Sequence, residues 1–295
     1  VLCGVRFMAE SAAILASPGQ TVMIPDTDAG CPMADMISAV DARAALAALD
    51  GILAAPAVPV TYMNSYADMK ALTGERGGAV CTSGNAVKVM RHFLDAGRPV
   101  FFSPDCNLGI NCSRALGVAH DRIFRIGRNG SIKGPGDPSR GLIFLWDGYC
   151  HVHTRFTPGD VAAARTRVPG ITVIVHPECD CAVVEAADLS GSTEGIYEAV
   201  REGGPGSAWA IGTEANFVTR LASEFPDRGI TPLRTSFCMN MAKTDLGTLE
   251  ASISSITRHE TGGSFLLHEI RVPPAERRDA ATSLRLMMDI TEGRV

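Results

Sequence analysis

In the stretch WDGYCHVH, Cys150, His151 and His153 fall within four residues of one another. Thiolate and imidazole are the side chains that best hold zinc and the softer transition metals. A cysteine with two histidines could fill three positions of a zinc site and leave one for water, which is a hydrolase arrangement. The chain has 9 cysteines in all, and no two show the C-x2-C spacing of a zinc ribbon or a bacterial ferredoxin. The close pairs are Cys179 with Cys181 and Cys106 with Cys112. Other residues suited to chemistry stand at the ends of apolar runs. VPVTYMNS ends on Tyr62 and Asn64, and ITVIVHPEC ends on His176 and Glu178. Phenol, imidazole and carboxylate are the usual proton carriers of an active site.

The elements that must position these residues repeat along the chain. After each of the two runs comes a helical stretch and then a small-residue turn, TSGN or GSTEG. Ser83 lies 21 residues after Tyr62, and Thr193 lies 17 after His176. A second helix follows, then another apolar strand with a polar end, PVFFSPDCNLG reaching Asp105 and AWAIGTEANF reaching Thr213. Each unit reads strand, helix, strand, helix, strand, which predicts a small parallel sheet with α-helical crossovers. Each unit then runs on to a cysteine, Cys150 in one and Cys238 in the other. The opening VLCGVRFMAESAAIL has the pattern of a third strand and its helix, and it leads to Cys31. Three cysteines thus hold equivalent places in three related units. Strand C-termini of open α/β sheets face the ligand crevice, so a pseudo-threefold arrangement would bring Cys31, Cys150 and Cys238 onto one axis.

Three thiolates from distant units suit a cubane iron–sulfur cluster better than zinc. The fourth iron would lack a protein ligand and act as a Lewis acid. Cys3, Cys81, Cys106 and Cys112 read as small buried apolar residues. His151 and His153 read as supporting groups rather than ligands. The turns carrying Ser83 and Thr193 open helices, whose free N–H groups suit carboxylate or phosphate. A non-catalytic iron–sulfur protein and a zinc hydrolase centred on Cys150, His151 and His153 remain as alternatives. The net charge of −5 and the absence of a basic run argue against a nucleic-acid partner. No run is long and apolar enough for a membrane span, the longest, GILAAPAVPV, carrying two prolines. With no export signal in view, the expected compartment is the cytoplasm, where thiols stay reduced.

In order along the chain, CGVRFMAESAAIL, PDTDAGCPMADM, TYMNSYADMKAL, CTSGNAVKV, SPDCNLG, WDGYCHVH, HPEC, GSTEGI, IGTEANFV and CMNMAKTDL resemble the quinolinate synthase family. The resemblance covers nearly the whole sequence. It implies three pseudo-threefold-related α/β/α domains and condensation of iminoaspartate with dihydroxyacetone phosphate to quinolinate, phosphate and water, in NAD biosynthesis. It implies one 4Fe-4S cluster held by Cys31, Cys150 and Cys238. It places substrate contacts on Tyr62, Asn64, Ser83, His176, Glu178 and Thr193, with Tyr62, His176 and Glu178 as candidate acids and bases. A functional link to L-aspartate oxidase is implied as well.

The expected division is residues 1–55 as the second half of domain 1, 56–165 as domain 2 with an insertion at about 121–141, and 166–295 as domain 3 with C-terminal helices. The family's first unit supplies a histidine and a serine that would lie upstream of Val1. A chain without them is expected to lack one wall of its pocket and to be impaired. Tyr66 stands where the family has serine, which is expected to alter packing at the pocket mouth.

Overall fold

A computed structural model describes residues 1–260 and 265–295. The strands are β1 (Val58–Tyr62), β2 (Ala79–Cys81), β3 (Val100–Ser103), β4 (Ile123–Ile126), β5 (Ile132–Lys133), β6 (Ile143–Trp146), β7 (Thr172–Val175), β8 (Leu189–Ser190), β9 (Ala208–Gly212) and β10 (Gly229–Pro232). The helices are α1 (Arg6–Leu15), α2 (Ala39–Asp50), α3 (Ala67–Glu75), α4 (Ala86–Asp95), α5 (Cys106–Ala115), α6 (Pro158–Arg167), α7 (Cys181–Ala186), α8 (Thr193–Glu202), α9 (Ala215–Glu224), α10 (Leu246–Glu260) and α11 (Pro274–Glu292).

The result is an α/β protein with two small, mostly parallel sheets. One has the order β2-β1-β3-β6-β4-β5, with only β5 antiparallel to its neighbour, and the other runs β10-β9-β7-β8. β1, β3 and β6 are buried along their whole length and contain no alternation, as expected where helices cover both faces. Stripped of β4 and β5, the two sheets share one order, with β1 matching β7, β2 matching β8, β3 matching β9 and β6 matching β10. The strand–helix–strand–helix–strand pattern therefore missed a fourth strand in each unit. The stretch at 121–141 contributes β4 and β5 to the edge of the first sheet rather than a plain loop.

Register makes the match residue by residue. Thr61 pairs with Val80 and Ser103, while Val175 pairs with Ser190 and Gly212. Tyr62 and His176 each follow those pairs at the strand end, and Ser83 and Thr193 lie three residues beyond Val80 and Ser190. The same register puts Asp105 level with Glu214, one residue past the Thr213 that spacing had paired with it. Asp105 caps α5 through Leu108 N, and Glu214 caps α9 through Asn216 N and Phe217 N.

The C-terminal helix α11 lies on the first sheet. Ala280, Ala281 and Leu284 pack with Ala67 and Ala71 of α3 and with Val80 of β2. The helices approach closely at Gly74, where an added Cβ would sit 1.9 Å from the Asp279 carbonyl oxygen.

Candidate active site

Each of the three cysteines sits in the same local structure. The carbonyls of Cys31, Cys150 and Cys238 accept from the amides of Asp35, Thr154 and Ala242, four residues on in each case. A 3-10 turn follows each, at Ala34–Met36, His153–Arg155 and Met241–Lys243. Then comes a helix closed by a reciprocal cap: Ser38 with Asp41, Thr157 with Asp160, and Asp245 with Thr248. The cap residue lies 7 positions after the cysteine every time. This C-x6-cap spacing is legible in the sequence itself.

The three loops open onto one cavity of about 600 Å³. Its lining includes Cys31, Cys150, Cys238, Tyr62, Asn64, Ser83, His176, Glu178 and Thr193, so every candidate residue named from the sequence reaches the same space. His151, His153, Thr213 and Glu214 line it too. Cys81, Cys106, Cys112 and Cys179 are buried. Cys3 is not the core residue expected of it, because it is exposed and stands at the cavity wall.

Glu178 is the hub. Tyr62 Oη donates to Glu178 Oε1 at 2.6 Å, and His153 Nδ1 lies 2.9 Å from Oε2. His153 Nε2 lies 3.0 Å from Thr213 Oγ1, so both its ring nitrogens are engaged. The His153 and His176 rings stack with centroids 4.4 Å apart. Burial alone would raise the Glu178 pKa. The attraction of His153 and the hydrogen bonds from His153 and Tyr62 outweigh it and hold the group below the ordinary carboxylate range. Burial pushes His176 down to about 3, helped by His153 and opposed by Glu178. His176 is thus neutral, and its Nδ1 accepts the Glu178 amide at 3.3 Å, which leaves the proton on Nε2. Burial, then the Glu178 charge, raises the Tyr62 phenol and keeps it a proton donor.

Behind the site, Lys70 is fully buried and donates to the carbonyls of Met63 (3.0 Å) and Ser65, fixing the loop that presents Asn64. Burial lowers its pKa to about 7, against the raising influence of Glu10 and Asp68. Tyr66 donates to Asp35 Oδ1 at 2.8 Å and so ties α3 to the Cys31 loop. The turns before α4 and α8 meet, since a Cβ at Gly84 would lie 3.4 Å from Ser192 Oγ. The starts of α4 and α8 therefore lie side by side, with Ser83 and Thr193 both lining the cavity.

The thiols fit a bound metal centre. Burial lifts Cys31 to about 11, partly relieved by the Ala34 and Met33 amides, with Glu178 and Cys238 adding to the rise. Cys150 is lifted well above the usual thiol range, first by burial and then by Glu178. Such thiols ionise only against a cation, and a coordinated metal supplies one. A second grouping, Cys150, His153 and Glu178, has ligand atoms within 4.8 Å of one another. His151 is not part of it, so the Cys150–His151–His153 trio does not converge as a zinc site. No described helix is long and apolar enough to cross a membrane.

Fold and site together define a parallel α/β protein whose strand ends and cysteine loops surround one thiol- and histidine-lined cleft. The family model described as quinolinate synthetase A protein matches residues 1–289. Similar curated proteins are the quinolinate synthases of Geobacillus kaustophilus, 40% identical over 98% of this chain and 78% of that protein, and Bacillus subtilis, 39% identical over 99% and 78%. The quinolinate synthase of Streptomyces coelicolor is 43% identical over 98% of this chain and 74% of its own length. The chain belongs to the quinolinate synthase family.

Proposed function

We propose that the protein condenses iminoaspartate with dihydroxyacetone phosphate to give quinolinate, phosphate and water. The observation that carries this reading is the single cavity joining Cys31, Cys150 and Cys238 to the Tyr62–Glu178–His153 network. The three cysteines would hold a 4Fe-4S cluster, one per chain, which supplies a Lewis acid at its unligated iron when bound. The chain's own residues do the rest. The amides opening α4 and α8, with the Ser83 and Thr193 hydroxyls and Asn64, grip the substrate carboxylates. Glu178, held as the anion, takes up a proton. Tyr62 and the Nε2–H of neutral His176 donate hydrogen bonds, or a proton, to developing negative charge. Transferase chemistry, a cytoplasmic setting, a pseudo-threefold three-domain division at about residues 55 and 165, and supply of the imine by an amino-acid oxidase such as L-aspartate oxidase belong to the same reading.

The test is anaerobic purification of the full-length protein, followed by iron and sulfide analysis and a quinolinate assay. About four irons with matching sulfide, and quinolinate formed from the two substrates, are the expected results. Zinc without sulfide would move the assignment to the Cys150, His153 and Glu178 grouping. Iron and sulfide without quinolinate would leave a non-catalytic iron–sulfur protein.

A further inference from the structure

The three cysteine loops are fastened to the fold by one repeated backbone bond. The first amide of α1 (Arg6), α5 (Cys106) and α9 (Ala215) donates to the carbonyl of Ala29, Gly148 and Ser236, at 2.8 Å in all three. Each acceptor lies two residues before its cysteine. The helix cap just before the donor differs, however. It is Val5 in the first case, Asp105 in the second and Glu214 in the third.

Glu214 does more than cap. Its Oε2 accepts from Asn216 N (2.8 Å) and Phe217 N (3.2 Å), while Oε1 accepts from Asn216 Nδ2 (3.1 Å) and, across the loop, from Cys238 N (3.4 Å). Asp105 Oδ1 accepts from Leu108 N at 2.7 Å, and its Oδ2 has no partner. Glu214 is 7% exposed. A buried carboxylate is a costly cap where a hydroxyl would serve, as Ser38 and Thr157 do for α2 and α6. For Glu214 the expense is explained by a second task, the Cys238 amide, that a short hydroxyl cannot reach.

We infer that Glu214 is a positioning residue that holds the backbone of Cys238 toward the cavity, and that the Cys31 loop, capped by Val5, lacks this device. For a metal centre this role rests on the reading of the three cysteines as its ligands. The restraint itself does not, and it is measurable without metal.

The experiment is timed iodoacetamide alkylation of metal-free, full-length protein, read at each cysteine by peptide mass spectrometry. Glu214→Ser keeps a helix cap but is too short to reach the Cys238 amide. It should speed alkylation of Cys238 about fivefold, the factor of one ordinary hydrogen bond, with Cys31 and Cys150 unchanged. Glu214→Gln keeps the reach but offers one accepting oxygen where the carboxylate uses two, so its Cys238 rate should fall between the serine variant and the wild type. Wild-type rates in the serine variant, or an equal rise at all three thiols, would overturn the inference. Should Glu214→Ser not fold, Glu214→Gln against the wild type decides on the same criteria. Iron binding after anaerobic reconstitution is the second arm and should fall in the serine variant. If thiol rates respond as expected but Cys238→Ser still binds a full complement of iron, the positioning stands and the ligand assignment fails.

Discussion

Glu178 is 2% exposed and still ionised, because His153 and the Tyr62 phenol hydrogen-bond its carboxylate. Glu178→Gln keeps the shape and removes the charge. Turnover should fall by about a hundredfold or more, the usual worth of a positioned base, with bound iron unchanged; normal turnover would exclude Glu178 as an essential proton carrier. The same cluster sets an acid limit on stability. Folded His176 has a pKa of about 3 against an ordinary 6.5, so between those values the unfolded chain binds a proton that the folded one refuses. Stability from this group is fully present above pH 6.5 and drains away as pH falls toward 3, with a slope of up to about 1.4 kcal/mol per pH unit. Urea unfolding of wild type and His176→Asn across this range should show the variant losing less per pH unit. Lys70 acts in the same sense at higher pH. Its folded pKa is about 7 against 10.5 unfolded, so the cost of burying its charge is relieved as pH rises through that window.

At the scale of elements, the close approach of α3 and α11 is the most exacting contact. Gly74→Ala would place a methyl 1.9 Å from the Asp279 oxygen, and Ser283 Oγ bonds the Lys70 carbonyl at 2.8 Å in the same seam. The helices must part, at a cost of about 1–3 kcal/mol, measurable as a lower denaturant midpoint. What could be read from sequence tracks how local the signal is. The apolar runs of β1, β3, β7 and β9 and the small-residue turns announce themselves, and their spacing correctly aligned Tyr62 with His176 and Ser83 with Thr193. β10 did not, because GITP is short, largely exposed and carries a proline at its end. β6 was masked by the Gly/Pro-rich segment before it. The pairing of Asp105 slipped by one because it followed the first polar residue after the strand, Thr213, instead of the residue that caps the helix. The placement of His153 against Glu178 and Thr213 depends on the turn at His153–Arg155 and on a strand from the other sheet. No local pattern encodes that.

At the scale of the molecule, the candidate cluster ligands come from three loops far apart in sequence, so each is needed separately. Replacing Cys31, Cys150 or Cys238 singly by serine should abolish cluster binding, read as iron, sulfide and visible absorption. Replacing Cys179 and Cys181 should leave all three readings intact, and losing them there would show that the ligand set is different. The position of α11 has a consequence of another kind, in the order of synthesis. Ser283 bonds Lys70 across a separation of 213 residues, and Leu284 closes over Val80 at the edge of the first sheet. At about 5–20 residues per second, a ribosome takes roughly 10–40 seconds to deliver that helix after α3 has been made. Throughout that interval the apolar faces of α3 and β2 stand open on the nascent chain, until α11 docks over them.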